Sequence, residues 1–122
     1  MIIVEFIHRP MPDVYKLNKA LRKRVEQALG NPMDVWAENI LGEFTRHYDK
    51  PEKDILIRCY TSTKPSGTST PTIDMIALGF NGDVEEFTIT YVHELLHYYH
   101  LDEDWVEQES KRFIDSLPAL AK

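Results

Sequence analysis

Apolar positions along the chain follow two different periods, which mark out strands and helices. A nearly continuous apolar run from Ile2 to Ile7, broken only by Glu5, predicts a buried inner strand. Apolar residues then recur at helical spacing over residues 13–29 and again over residues 32–48, and each stretch ends at a turn signal that contains Pro. The N-terminal part is therefore expected to form one strand followed by two helices.

The rest of the chain repeats the alternation of strand and helix patterns. Apolar and polar positions alternate over residues 54–60 and predict a strand. Residues 61–71 are almost all Thr, Ser, Lys, Pro and Gly and predict a long polar loop, which is followed by a second strand over residues 72–80. Helical spacing predicts a helix over residues 84 to about 101, and a last helix that ends at Leu117.

The predicted order β-α-α-β-β-α-α indicates an α+β fold, with a small, mostly antiparallel sheet covered by helices. The 122 residues have the size of one compact domain, and a composition that is 43% hydrophobic and 28% charged is typical of globular proteins. We therefore expect residues 1–122 to form a single domain.

Charge and cysteine usage exclude several classes of protein. The formal charge of −6 argues against a protein built mainly to hold nucleic acid. Cys59 is the only cysteine, so no internal disulfide is possible and a reducing compartment is favoured. The N-terminal run lacks the basic start of a signal peptide, and no apolar run approaches the roughly 20 residues that span a bilayer. We expect a cytoplasmic protein that binds neither nucleic acid nor membrane. The sequence does not indicate its oligomeric state.

The chemistry of the chain is concentrated in residues 93–97, which read His-Glu-Leu-Leu-His. Two histidines four apart on a helix point the same way, so His93 and His97 can share one zinc ion. Glu94 then lies beside the metal, where it can take a proton from a zinc-activated water. At 100° per residue His100 falls on the same stripe and the apolar residues fall opposite. The histidines are therefore expected to face a cleft.

A catalytic zinc takes three protein ligands and leaves one position open, so a third ligand is needed. His100 lies about 10 Å along the helix axis from the first motif histidine, which is too far for one ion. On the last helix, Glu107 lies at the edge of the apolar side and can point along the contact between the two helices. Asp104, and after it Glu103, are the reserve candidates in the turn. Glu109 is interpreted as a solvated residue opposite the core face.

With Glu107 in place, the stretch from His93 to Leu117 resembles the gluzincins, which are thermolysin-like metallopeptidases. Their pattern is HExxH on one helix and a zinc-binding Glu on a following helix. Within them the stretch is most similar to the ImmA/IrrE-type peptidases and the minimal single-domain gluzincins. In those families the third ligand begins a Glu-x-x-small pattern followed by an aromatic, and residues 107–113 read Glu-Gln-Glu-Ser-Lys-Arg-Phe.

The resemblance implies one zincin-like metallopeptidase domain that hydrolyses peptide bonds in a peptide or protein substrate. It implies Zn²⁺ held by His93, His97 and Glu107, with Glu94 as general base. The gap between the second histidine and Glu107 is shorter than in most members. Lys111 stands where many gluzincins carry an Asp that supports a zinc-bound histidine, so that support must come from elsewhere or be missing.

The resemblance also bears on substrate binding. In these families the strand before the motif helix forms the upper edge of the cleft and pairs with an extended peptide. For residues 72–80 an internal position in the sheet is at least equally compatible with the pattern. The polar loop over residues 61–71 could gate the cleft, although a flexible connector is the simpler interpretation. A donor to the developing oxyanion is expected, with Tyr98, His100 and His8 as candidates by residue type only.

Two alternative functions remain compatible with the motif. One is a non-catalytic interaction module with a structural or vestigial zinc site, although a structural site needs a closed shell of four ligands and has no use for Glu94. The other is a different zinc hydrolase, such as a nuclease or an amidase. Metal-dependent endoribonucleases with three histidine ligands are one example, but they lack the Glu after the first His.

Overall fold

A computed structural model describes residues 1–7, 14–64, 66–101 and 106–117, except for the side chains of residues 14–18 and of residue 107. In these ranges the chain forms four strands and four α-helices, with one short 3₁₀ turn over Pro71–Ile73. The elements are β1 (Ile2–Phe6), α1 (Val14–Leu29), α2 (Met33–Tyr48), β2 (Ile55–Thr61), β3 (Ser66–Thr70), β4 (Met75–Phe80), α3 (Val84–Tyr98) and α4 (Val106–Asp115). The predicted α+β class and the four predicted helices are confirmed.

The strands form one mixed sheet in the order β1-β2-β4-β3. The β1–β2 and β2–β4 pairs are parallel, and only the β3–β4 pair is antiparallel. The expectation of a mostly antiparallel sheet was therefore wrong. Between β1 and β2 the chain passes through two helices, a crossover long enough to bring β2 back in the same direction as β1.

Strand β3 lies inside the segment that was predicted to be a long polar loop. It pairs antiparallel with β4, from Ser66 opposite Gly79 to Thr70 opposite Met75. The two threonines of this strand are β-branched and favour extended backbone. The many Ser, Pro and Gly residues of the segment led instead to the prediction of a loop. Strand β4 is internal, so the edge of the sheet beside α3 is formed by β3.

Strand β1 occupies the opposite edge of the sheet and is not the inner strand that its apolar run predicted. Among the described strands it pairs with β2 alone, and Ile3 is 59% exposed while Ile2 is buried. The backbone N–H of Ile2 donates a hydrogen bond of 2.9 Å to the carboxylate of Glu38 on α2. A charged side chain thus covers part of an edge that would otherwise be open to another strand.

The core lies between the sheet and the helices and fixes the orientation of α3. Trp36 of α2 stacks on Phe87 and packs against Tyr91, with ring centroids 5.4 and 5.2 Å apart. The buried hydroxyl of Tyr91 donates a hydrogen bond of 2.9 Å to the carbonyl of Ala37. Each large side chain buried here contributes about 1.5–3 kcal/mol. The predicted apolar side of α3 is buried, so its histidine side faces away from the core.

Helix α3 ends earlier than its pattern predicted. It stops at Tyr98, and His100 has a positive φ of 56°. The N–H of His100 donates to the carbonyl of His97 and the N–H of Leu101 to that of Leu96, at 3.0 and 2.9 Å. These two bonds form a Schellman motif, in which the left-handed residue ends the helix and satisfies its last carbonyls.

Candidate active site

The start of α3 places its histidine side at the edge of the sheet. Asp83 caps the helix, because its carboxylate accepts a hydrogen bond of 3.1 Å from the N–H of Glu86. Glu85 and Glu86 lie in the first turn, where negative charge interacts favourably with the helix dipole. The helix therefore begins directly after β4 and runs beside β3.

The two motif histidines converge. His93 and His97 are half-buried on successive turns of α3, and their Nε2 atoms are 3.0 Å apart. Two nitrogens bonded to one tetrahedral zinc at about 2.05 Å lie about 3.3 Å apart. A shift of a few tenths of an ångström would bring the two rings to that spacing, so the pair fits a single zinc ion.

Glu94 is buried beside the histidine pair, with 7% of its surface exposed. Burial raises the pKa of its carboxyl above the ordinary value, while His97 and a hydrogen bond from Ser69 of β3 act in the opposite direction. A carboxyl group in this position is shielded from solvent but retains one hydroxyl partner. That environment suits a proton acceptor next to a metal site.

Strand β3 passes very close to Glu94, and Gly67 is the residue that allows this approach. A Cβ atom at Gly67 would lie 2.8 Å from Cγ2 of Thr90 and 3.0 Å from Cγ of Glu94. Both distances are shorter than ordinary carbon contacts, so a larger residue would push the strand and the helix apart. The edge strand thus covers Glu94 because position 67 carries no side chain.

A cleft of about 450 Å³ opens between β3, α3 and α4. This volume lies within the range of about 300–1,000 Å³ that is usual for ligand sites. His93 and Glu94 both line it, and so does Lys111 of α4. The remaining lining residues are Ser66 and Gly67 of β3 and Glu86, Ile89 and Thr90 of α3.

Helix α4 packs its apolar side against the core, with Val106 and Phe113 buried. Glu109 was predicted to be solvated, but it is only 8% exposed and accepts a hydrogen bond of 2.5 Å from the hydroxyl of Tyr48. At 100° per residue Glu109 lies only about 60° from Val106, at the border of the buried side. Burial and this hydrogen bond raise the pKa of Tyr48.

The third zinc ligand stays a prediction. The backbone of Glu107 lies in α4, one turn before Lys111, and its side chain is outside the described part of the molecule. Glu103 and Asp104 also lie outside the described residues. Across residues 1–7, 14–64, 66–101 and 106–117, no group of three or more His, Cys, Asp or Glu side chains is arranged to hold a metal.

The residues considered as oxyanion donors are not brought to the cleft where they are described. His100 is exposed and follows the end of α3, so it does not share the stripe of the motif histidines. The hydroxyl of Tyr98 donates a hydrogen bond of 2.5 Å to Asp74. Neither residue lines the cleft. His8 lies outside the described residues.

Sequence reasoning missed Gly67 and Ser69 as residues of the site, because it assigned residues 61–71 to a loop. A signal was present: two threonines alternate with small residues in the stretch between two prolines, 65 and 71, which is long enough for a short strand. Only the pairing of that stretch with β4 shows that it covers Glu94.

No protein-family model, no curated protein and no solved structure matches this chain. The resemblance to gluzincins therefore rests on the motif residues alone. Within the described part of the chain, none of the helices is both long and apolar enough to cross a membrane.

Proposed function

We propose that this protein is a zinc-dependent peptidase with a zincin-like site. In this proposal His93, His97 and Glu107 hold Zn²⁺, and Glu94 is the general base. The observation that carries the proposal is the 3.0 Å spacing of the two Nε2 atoms on one side of α3, together with the cleft that His93 and the buried carboxylate of Glu94 both line.

The chemistry is divided between the metal and the chain. Zinc, when bound at such a site, polarises a carbonyl and lowers the pKa of a coordinated water toward 7. Glu94 accepts the proton of the attacking water and passes it to the leaving amine. Ser69 holds the carboxylate of Glu94 in place by its hydrogen bond, and β3 covers Glu94 on one side.

A peptide is the substrate that the edge of the sheet favours. Among the described strands, β3 is paired with β4 alone, so its other side offers backbone N–H and C=O groups to an extended chain. A bound peptide would extend the sheet along the cleft that His93 and Glu94 line. Two of the three charged residues that line the cleft, Glu86 and Glu94, are acidic, and they disfavour the polyanionic backbone of a nucleic acid.

A structural zinc site is less compatible with this surrounding. Such a site is closed by four protein ligands. Here His93 lines a cleft, and the acid next to it is buried on the side covered by β3. A buried carboxylate costs free energy, and a base for hydrolysis gives a reason for keeping one at this position.

The test compares the wild type with His93→Ala and Glu94→Gln. We expect about one zinc per chain in the wild type and in Glu94→Gln, and none in His93→Ala, as measured by native mass spectrometry. The wild type should cleave a randomised peptide library, a chelator should block this cleavage, and His93→Ala should not cleave the library. The rate with Glu94→Gln should be about 10²- to 10⁴-fold lower.

The outcomes separate the alternatives. Zinc that remains bound in His93→Ala would remove the ligand assignment. A wild type that holds zinc and cleaves no peptide would favour the interaction module. Cleavage of RNA or of a non-peptide amide with the same dependence on Glu94 would favour a different zinc hydrolase.

A further inference from the structure

Lys111 brings a positive charge to the cleft. It lies on α4, is exposed, and lines the cleft together with His93 and Glu94. Among the side chains that the structure describes, it forms no ion pair. The other charged residues that line the cleft are both acidic, Glu86 and Glu94, so Lys111 is the one cation available there to a ligand within the described residues.

The position of Lys111 can be related to the histidine pair. It lies one turn, or about 6 Å, beyond Glu107 along α4. On α3, the residues that line the cleft run from Glu86 to Glu94, and Glu86 is about 10 Å along the helix before His93. The cleft therefore carries a positive charge on α4, one turn from the proposed third ligand, and a negative charge on α3 about two turns from His93.

An extended peptide advances about 3.3 Å per residue. Two residues of such a peptide span about 6.6 Å, which is close to the roughly 6 Å along α4 between Glu107 and Lys111. Near Glu86, by contrast, an acidic residue is disfavoured. An ammonium group carries three donors and binds a carboxylate as a point charge, and bonds of this kind are stronger in a partly desolvated cleft than in open solvent.

We propose that Lys111 determines specificity by binding a substrate carboxylate one or two residues from the scissile bond. This inference rests on the proposed peptidase function. The carboxylate belongs to an acidic side chain or to the C terminus of the peptide, which present the same group to Lys111. The substrate class is therefore acidic peptides or short C-terminal segments.

The experiment starts from a peptide that the wild type cleaves in the randomised library. The positions tested are the two residues on either side of the cleaved bond. Four versions are compared for each position: Asp or Asn at that position, each with a C-terminal carboxylate or carboxamide. We expect the preferred carboxylate to raise kcat/KM about tenfold over its neutral match. Lys111→Glu should abolish or invert this ratio, and the pair of substitutions that responds identifies the source of the carboxylate.

Lys23→Glu is the matched control, because Lys23 is exposed on α1 and does not line the cleft. It makes the same change of net charge and should leave the ratio as in the wild type. A ratio that is equal in the wild type and in Lys111→Glu would overturn the inference. Circular dichroism checks that Lys111→Glu is folded. If it is unfolded, Lys111→Gln replaces it. Lys111→Gln should lower the ratio toward one.

Binding distinguishes failure of this inference from failure of the proposed function. The same four peptides are titrated by calorimetry into zinc-loaded Glu94→Gln, with and without Lys111→Glu. Lys111-dependent binding of the acidic peptides without cleavage by the wild type would remove the peptidase and keep the carboxylate site. Cleavage with no preference for a carboxylate would keep the peptidase and remove the carboxylate site. The absence of both binding and cleavage would remove both the peptidase and the carboxylate site.

Discussion

Three histidines lie within eight residues of the chain, and their backbone positions separate their roles. His93 and His97 are on α3 with their Nε2 atoms 3.0 Å apart. His100 has left-handed backbone after the helix end and is exposed. A left-handed conformation is costly for a residue with a Cβ atom and is most easily adopted by glycine. The third histidine therefore ends the helix and does not share the side of α3 that carries the other two.

This difference predicts opposite effects for two substitutions. His100→Gly should keep zinc binding and raise the free energy of unfolding by about 1 kcal/mol, because it relieves the left-handed strain. His93→Ala should lose zinc. Zinc content and urea unfolding of both variants test this. Loss of zinc in His100→Gly would return that residue to the list of ligands.

A second prediction concerns the buried acid of α4. Tyr48→Phe removes the hydroxyl that donates to Glu109 at 2.5 Å and leaves that carboxylate without this partner. Hydrogen bonds to charged groups contribute about 1.5–3 kcal/mol, so the free energy of unfolding should fall by a similar amount. The double variant Tyr48→Phe/Glu109→Gln should be less destabilised than the sum of the two single variants. If the losses in free energy of unfolding of the two single variants add up to that of the double variant, the hydrogen bond between Tyr48 and Glu109 does not stabilise α4.

At the scale of elements, the site depends on the distance between β3 and α3. The edge strand lies over Glu94, with Gly67 at the point of closest approach. The helix carries the two histidines and Glu94, while the strand carries the hydroxyl of Ser69 and a backbone edge that no other described strand pairs with. A change in this distance would affect Glu94 more than the two histidines, because β3 contacts the Glu94 side of the helix.

Gly67→Ala tests this arrangement. The new methyl group would lie 2.8–3.0 Å from Thr90 and Glu94, so the strand must shift and the base must move. Because misplacement by about 1 Å can cost 10²-fold in rate, we expect a loss of about that size in kcat/KM, with zinc retained. Peptide cleavage and zinc content measure the two effects.

Gly42→Ala is the matched control for this substitution. Gly42 lies in α2, where a Cβ atom would make only one ordinary contact, at 3.5 Å from Glu52. Alanine in a helix should stabilise the protein by about 0.5–1 kcal/mol and leave cleavage unchanged. Equal activity of the two alanine variants would show that the close approach of β3 does not position Glu94.

At the scale of the whole molecule, the core and the candidate zinc site are separate. The core lies between the sheet and the helices and contains large apolar side chains such as Phe44, Phe80 and Phe113. The cleft lies at the edge of the sheet, outside that core. The fold should therefore form without metal, in contrast to small domains that fold only when zinc binds.

This separation predicts a moderate effect of zinc on stability. Free zinc at about 1,000 times its Kd should add about 4 kcal/mol, which corresponds to an increase in Tm of roughly 10–20 °C for a domain of this size. Calorimetry of the wild type with zinc or with a chelator measures the shift, and His93→Ala should show none. Complete unfolding by the chelator would indicate a structural zinc and support the interaction-module alternative.

The sequence by itself determined the features that depend on neighbours within one or two helical turns. The four helices, the burial of one side of α3 and the α+β class follow from apolar spacing, and the structure confirms them. The juxtaposition of His93 and His97 also follows from local spacing, because side chains four residues apart on a helix lie next to each other. Their role as zinc ligands, with Glu107 as the third, is the part that metal analysis must test.

Only the tertiary structure decided which strands are edges, which direction they run and which acids are buried. The pairing of residues 66–70 with β4, the outer position of β1 and the burial of Glu109 against Tyr48 all depend on partners distant in sequence. Hydrogen bonds between strands and contacts between helices form across such distances, and local periodicity carries no information about which partner will be met. For this reason the helix of the site was predictable, while the strand that covers it was not.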